Sequence, residues 1–130
     1  MTAKVTRWLP TKTVLAIHEE QIRDHGGGSG VRDPDLLESA IAHPQNLAAY
    51  GEPDLADLAA AYAFGIARNH PFVDGNKRTA FVTAGAFLMR NGEFLDVGEA
   101  EAAVVFTDLA AGKLTEAELA AWYRRHLAEA

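Results

Sequence analysis

Residues 54–92, DLADLAAAYAFGIARNHPFVDGNKRTAFVTAGAFLMRNG, carry the strongest helical pattern in this chain. Apolar and alanine residues recur at helical spacing on both sides of an interruption, residues 70–78. Pro71 ends the first helix near Asn69, and Asn91-Gly92 closes the second. The stretch therefore predicts two helices, over residues 54–69 and 76–91, joined by a short loop.

Four more helices are predicted around this pair. The first begins at Pro10-Thr11 and runs to about residue 24, before the glycine-rich run 26–30, which is predicted to be a loop within one domain. The second begins with Asp33 as N-cap and Pro34 in the first turn. Pro44 is expected to end this helix, and residues 45–53 are expected to be irregular or briefly extended.

The C-terminal third supplies the last two helices. Residues 99–111 form an alanine- and valine-rich helix that Gly112 stops, and a capping box at Thr115 and Glu118 opens the final helix. Alternating strand patterns are nearly absent. The prediction is an all-α fold, a compact bundle of about six helices with one small extended flap.

The bulk composition limits the class of protein. The chain has 130 residues, so one domain spanning residues 1–130 is expected. It has no cysteine, which excludes disulfides and cysteine nucleophiles. Its net charge of −6 disfavours direct binding to nucleic acid, and no apolar run approaches the ~18 residues of a membrane span. We therefore expect a soluble, cytoplasmic protein that contacts neither membrane nor nucleic acid.

The loop at residues 70–78 combines groups suited to phosphate chemistry. Its end is a helix start, where backbone N–H groups are unpaired and attract anions. Gly75 lets phosphate oxygens approach the backbone, and Asp74 is a hard oxygen ligand suited to Mg²⁺. His70 is a candidate general base for a hydroxyl nucleophile near neutral pH.

The helix that follows adds hydrogen-bond donors and positive charge. Asn76 offers an amide donor, Lys77 an ammonium group and Arg78 a planar guanidinium that fits phosphate oxygens. Arg68, two residues before His70, is a further candidate phosphate ligand, with simple exposure to water as the alternative.

Each of these residues also has an ordinary structural explanation. His70 alone is more often a structural histidine, Asp74-Gly75 an ordinary turn, and Asn76 a helix cap. The combination of a base, an acid, a glycine and cations around one helix start favours function. Phe72 is the exception, and we expect it to be buried as the anchor of the loop.

The loop residues resemble the Fic/Doc superfamily, and among its members the death-on-curing (Doc) toxins. The Fic pattern is H-x-F-x-[DE]-G-N-G-R, and Doc toxins carry lysine in place of the second glycine. His70, Phe72, Asp74, Asn76, Lys77 and Arg78 fit this pattern. Similarity extends over nearly the whole chain and includes His18, residues 25–27, Gly30, residues 32–33, 37–40 and 91–92.

The resemblance implies a Fic fold and a role for each loop residue. His70 would deprotonate a protein hydroxyl, and Asp74 would bind Mg²⁺. Gly75 and Asn76 would form part of an anion cradle, while Lys77 and Arg78 would hold the phosphates of ATP. The flap, expected at residues 44–51, would pair with an extended piece of the target protein.

Lys77 distinguishes two reactions within this superfamily. Typical Fic enzymes have glycine there and transfer AMP, whereas Doc toxins bind the nucleotide in the opposite direction and transfer the γ-phosphate. The implied reaction is phosphorylation of a threonine of translation elongation factor Tu, which halts translation. Gly75 departs from a prototype Doc, which has alanine, and so AMP transfer stays an alternative. A non-catalytic nucleotide- or partner-binding module is a second alternative.

Regulation is implied to come from a second protein. Self-inhibited Fic proteins carry a [ST]-x-x-x-E-[GN] helix, and this pattern is absent from the sequence. In Doc systems the disordered C-terminal segment of an antitoxin folds onto the toxin. The resemblance therefore implies an antitoxin as the inhibitory partner.

Overall fold

The computed structural model describes residues 5–130, which form six α-helices and two short strands. In chain order these are α1 Thr11–His25, α2 Pro34–Tyr50, α3 Leu55–Asn69, α4 Asn76–Arg90, β1 Glu93–Leu95, α5 Glu99–Ala110, α6 Glu116–His126 and β2 Leu127–Glu129. The predicted all-α fold of about six helices is confirmed for the described part of the chain.

Helix α3 is the centre of the bundle. It packs against α2, α4, α5 and α6, while α1 packs against α4. Alanine is the commonest residue in α3, and its Gly65 lies so close to Ala40 of α2 that a Cβ there would be 3.1 Å from the Ala40 Cβ. Small residues thus let α2 approach α3 closely. Tyr62, Phe72 and Phe87 are among the largest side chains that are fully buried in the surrounding core.

Side-chain caps define the start of three helices, and the sequence predicts two of these caps, at Asp33 and Thr115. Asp33 accepts a hydrogen bond from the Leu36 N–H at 3.1 Å. Asp54 and Asp57 form a reciprocal capping box at α3, and Thr115 forms the equivalent box at α6. Each cap satisfies N–H groups that a helix leaves unpaired in its first turn.

The prediction that Pro44 ends the second helix is wrong. Helix α2 continues through Pro44 to Tyr50. A proline inside a helix removes one backbone hydrogen bond and costs about 3 kcal/mol. Pro44 itself is buried, and Leu47 and Ala48 beyond it pack against the core, so the extra turns bury apolar surface that offsets this cost.

The flap expected at residues 44–51 is likewise absent, because that segment is helical up to Tyr50. Extended backbone occurs elsewhere. Strands β1 and β2 pair antiparallel, with Phe94 opposite Ala128, and an isolated bridge joins Val31 to Phe72. In residues 5–130, none of the helices has the combination of length and apolarity that crossing a bilayer requires.

Candidate active site

His70 lies at the junction of α3 and the loop. It is the C-cap of α3, with φ 49° and ψ 56°, and its N–H donates to the Ile66 carbonyl at 3.2 Å. Within residues 5–130 it is the one non-glycine residue with positive φ, and it is exposed to solvent. Left-handed backbone is costly for a residue with a Cβ, and such strain concentrates at functional sites. The strained turn presents the imidazole at the surface.

Arg32 stabilises this strained turn from the segment before α2. Its Nε donates to the His70 carbonyl at 2.7 Å, and one terminal nitrogen donates to the Asn69 carbonyl at 3.0 Å. The Arg32 N–H also donates to the Pro71 carbonyl at 2.7 Å. The guanidinium thus satisfies carbonyl groups that the end of α3 leaves unpaired. No role was predicted for Arg32, although it lies in a segment that resembles Doc toxins.

Gly75 and the first turn of α4 form the half of the loop that is predicted to bind phosphate. Gly75 is the N-cap, with φ 76° and ψ 17°, and no side chain caps this helix. Within the part of the chain that is described, the backbone N–H groups of residues 74–78 make no hydrogen bond. Left-handed backbone at Gly75, followed by helical backbone, turns successive N–H groups into a concavity that binds anions.

Asp74 is exposed at the mouth of this concavity. Its Oδ2 accepts a hydrogen bond of 2.6 Å from the Gly28 N–H, which holds the carboxylate in place. The glycine-rich run therefore packs against the loop, and a Cβ at Gly28 would be only 2.9 Å from Val73 Cγ1. Gly28 was not among the predicted site residues.

The residues around Asp74 fit one common mode of Mg²⁺ binding. Residues 5–130 contain no group of three or more metal-binding side chains, so no site made of protein ligands alone is present there. Mg²⁺ is commonly held by one or two carboxylates together with substrate phosphates and water. A single exposed carboxylate beside an anion concavity matches that mode, and Asp74 is the residue that would hold the ion.

Asn76 and Phe72 make the loop rigid. Asn76 Oδ1 accepts from the Phe72 N–H at 2.9 Å, and its Nδ2 donates to the Phe72 carbonyl at 3.0 Å. Asn76 is buried, at 8% exposure, and Phe72 is fully buried as expected. The Asn76 side chain therefore braces the loop, and its amide donor is already paired with the Phe72 carbonyl. Its part in the anion cradle stays a prediction, which falls to its backbone N–H.

Lys77 and Arg78 line a cleft of about 420 Å³ next to the loop, together with Phe81 and Phe106. The two phenyl rings pack edge to face, with centroids 5.1 Å apart. Lys77 Nζ donates to Thr107 Oγ1 of α5 at 3.3 Å. The cleft is within the size range of small-ligand sites, and both cations are exposed.

Arg68 has other contacts. Its guanidinium lies over the Phe64 ring, 5.2 Å from the centroid, and a Cβ at Gly112 would be 3.6 Å from one of its terminal nitrogens. Within the described residues it makes no hydrogen bond or ion pair to the loop. These contacts favour a packing role, and its phosphate contact stays a prediction. A larger groove of about 770 Å³, between the end of α2 and the start of α6, contains none of the predicted site residues.

Comparisons with known proteins identify a family and two relatives. Residues 8–88 match the model of the Fic/DOC family. The chain is 40% identical over 87 residues to "Protein kinase doc" of Escherichia phage P1, covering 66% of this chain and 69% of that protein. It is 49% identical over 83 residues to "Toxin Doc" of Mycolicibacterium smegmatis, covering 58% of this chain and 63% of that protein.

Proposed function

The chain belongs to the Fic/DOC family, and from this premise we propose that it is a Doc-like toxin. In this proposal it is a protein kinase that transfers the γ-phosphate of ATP to a threonine hydroxyl of a translation factor, elongation factor Tu, and thereby halts translation. The observation that carries the proposal is the run of unpaired N–H groups at residues 74–78, flanked by the exposed side chains of His70 and Asp74.

The chemistry assigned to His70 is general base catalysis. The neutral imidazole accepts the proton of the target hydroxyl as the hydroxyl oxygen forms a bond to the γ-phosphorus. The bond between that phosphorus and the β,γ-bridging oxygen breaks, and ADP leaves with the electron pair. The turn held by Arg32 keeps the imidazole in position while the substrate binds.

The anion concavity supplies binding and electrostatic stabilisation. Unpaired N–H groups at the start of α4 donate to phosphate oxygens, and Arg78 offers a bidentate guanidinium. Mg²⁺, bound through Asp74, would neutralise phosphate charge when present. The remainder of the nucleotide is assigned to the cleft lined by Lys77, Phe81 and Phe106.

Lys77 supports phosphate transfer over AMP transfer. By the resemblance to the Fic/Doc superfamily, lysine at this position is associated with the nucleotide orientation of Doc toxins, and glycine is associated with AMP transfer. Gly75, the feature that pointed toward AMP transfer, has a separate explanation. Its φ is 76°, and a Cβ at this position would be 3.1 Å from Ile22 Cδ1, so any side chain is disfavoured whichever group is transferred.

The names of the relatives support a toxin with protein kinase activity. One is named as a protein kinase and the other as a toxin. By the same resemblance, inhibition comes from an antitoxin whose disordered C-terminal segment folds onto the toxin.

Radiolabelled ATP tests the reaction. Purified chain, Mg²⁺ and elongation factor Tu are incubated with ATP labelled at either the γ- or the α-phosphate. The proposal predicts label on the factor only from γ-labelled ATP, and a loss on the order of 10²-fold or more with His70→Ala. Label from α-labelled ATP would establish AMP transfer instead.

Growth inhibition separates catalysis from binding. Expression of the chain should arrest growth, and His70→Ala should relieve the arrest. His43→Ala is a matched control, since this histidine lies on α2 and pairs with Glu116 at 2.8 Å. Arrest that persists with His70→Ala would favour a non-catalytic binding module.

A further inference from the structure

His18 is a buried histidine that the proposed reaction does not use. It belongs to α1 and is only 2% exposed. Its ring stacks on Phe72, with centroids 3.9 Å apart and planes 7° from parallel. Its Nε2 is 2.8 Å from the backbone carbonyl oxygen of Asp74, which is 56 residues away in sequence. The contact reaches directly into the phosphate loop.

The chemistry of this contact determines the proton on His18. A carbonyl oxygen can only accept a hydrogen bond, so Nε2 must carry hydrogen and donate. The ring is fixed by the stack on Phe72, and Phe72 is itself braced by Asn76. The donor therefore has a defined position and direction.

Peptide geometry transmits this contact to the anion concavity. The peptide that joins Asp74 to Gly75 is trans and planar, so its carbonyl and its N–H point in opposite directions. His18 holds the carbonyl toward the buried side, and the Gly75 N–H must then point away from His18. That N–H is one of the unpaired donors of residues 74–78.

We propose that His18 is a positioning residue that holds the Asp74–Gly75 peptide with its N–H directed at the bound phosphate. The inference rests on the proposed function only in taking the loop as the nucleotide phosphate site. His18 itself contacts no substrate in this scheme. It acts through the orientation of one backbone donor.

Gly75 explains why the loop needs such a restraint. Glycine populates positive and negative φ about equally, so the backbone at this position has little preference of its own. A rotated Asp74–Gly75 peptide would turn the carbonyl oxygen toward the anion and remove one donor. The hydrogen bond from His18 opposes that rotation, because the rotated carbonyl would leave the imidazole N–H buried without a partner.

Three substitutions distinguish the effect of the hydrogen-bond donor of His18 from the effect of its ring. His18→Phe keeps a ring that can stack on Phe72 but has no donor. His18→Gln and His18→Leu both lose the ring, and only glutamine retains an N–H at a comparable reach. Binding of ADP is measured by calorimetry for each full-length variant, and the melting temperature is measured in parallel.

The proposal predicts that ADP affinity depends on whether the side chain at residue 18 has an N–H donor. His18→Phe and His18→Leu should bind ADP about tenfold more weakly than the unsubstituted chain, the effect of one hydrogen bond to a charged group. His18→Gln should keep most of the affinity even though its melting temperature falls with the lost stack. If His18→Phe fails to fold, the comparison of glutamine with leucine decides the question.

Two results would overturn the proposal. One is ADP affinity in His18→Phe equal to that of the unsubstituted chain. The other is equal loss in His18→Gln and His18→Leu, which would mean that the ring only stabilises the fold. The test of His18 is independent of the proposed kinase activity. If ADP affinity depends on the N–H donor at residue 18, the role of His18 is supported even when no label is transferred to a target protein.

Discussion

At the scale of single residues, Asp74 and Arg78 are the side chains assigned to Mg²⁺ and to phosphate. Asp74→Ala removes the carboxylate that Gly28 holds in place, and Arg78→Ala removes an exposed guanidinium at the cleft. Each should lower phosphate transfer on the order of 10²-fold or more. The measurement is the initial rate of label transfer, with helical content followed by circular dichroism.

Arg90→Ala is the matched control, since Arg90 occupies the last turn of the same helix. It should leave the transfer rate unchanged. A normal rate in Arg78→Ala, or an equal loss in Arg90→Ala, would contradict the assignment of Arg78 to the phosphates.

Gly75 is required by its backbone conformation and by a close neighbour. Gly75→Ala should lower the free energy of unfolding by about 1–2 kcal/mol for the left-handed backbone, with a further cost from Ile22 Cδ1. Ile22→Val removes that carbon atom, so the two substitutions together should cost less than their sum. Denaturant unfolding of the four proteins in the cycle measures this difference.

Gly85→Ala is the control for glycine replacement in α4. Nothing lies within 4 Å of a Cβ at Gly85, so this change should be neutral or stabilising by about 0.5–1 kcal/mol. Equal stability of Gly75→Ala and the unsubstituted chain would show that the loop tolerates a side chain at residue 75.

The sequence could predict the loop but not the residues that support it. One short segment of the sequence contains His70, Asp74 and the start of α4, so a local pattern is enough to predict their combination. Arg32 and His18 contact the loop from 38 and 56 residues away. Those contacts follow from the packing of α1 and the segment before α2, which no local pattern encodes.

At the scale of secondary-structure elements, Phe72 anchors the loop between α3 and α4. It is fully buried, stacks on His18 and bridges to Val31. Phe72→Ala should lower the free energy of unfolding by roughly 3–5 kcal/mol. Val73→Ala, next to it and half exposed, should change it by less than about 0.5 kcal/mol. An unchanged melting temperature in Phe72→Ala would contradict the anchoring role.

An ion-pair network joins the start of α3 to α6. Arg124 donates to Asp54 at 2.8 Å and to Asp57 at 2.8 Å. The hydrogen bond from Arg124 is the largest cause that lowers the pKa of Asp54 from 3.8 to about 2, and the hydrogen bond from the Asp57 N–H adds to it. Because the folded-state pKa is depressed, this stabilisation is present above about pH 4 and is lost as the pH falls toward 2.

Asp54→Asn tests the network, because asparagine can still cap the helix without a charge. The variant should be less stable than the unsubstituted chain at pH 7, and the difference should shrink between pH 4 and pH 2. Asp96→Asn, at an exposed carboxylate after β1, is the control. A stability difference that stays constant down to pH 2 would show that the charge of Asp54 does not contribute.

Element boundaries were predictable where a local signal decides them. Caps at Asp33, Asp54 and Thr115 define helix starts that the structure confirms. The prediction was wrong at Pro44 because the lost backbone hydrogen bond is offset by burial of apolar surface, which occurs only in the folded bundle. Strands β1 and β2 are three residues each, too short for an alternating pattern to be recognised.

At the scale of the whole molecule, the bundle brings three separate segments to one site. The loop lies between α3, the centre of the core, and α4, while α1 and the glycine-rich run contact it from the other side. Arg32 holds the strained turn at His70, and Asn76 in the first turn of α4 holds Phe72. This arrangement explains how a chain of 130 residues can hold the proposed base and the proposed anion site in fixed geometry.

The intact mass of elongation factor Tu distinguishes phosphate transfer from AMP transfer and from binding without catalysis. The factor is incubated with the purified chain, unlabelled ATP and Mg²⁺, with His70→Ala in a parallel reaction, and each product is weighed by mass spectrometry. A protein-threonine kinase should add one phosphate group, located on a threonine, and this gain should be absent with His70→Ala. A gain of one AMP, or an unmodified factor while the chain still arrests growth, would contradict the proposed kinase activity.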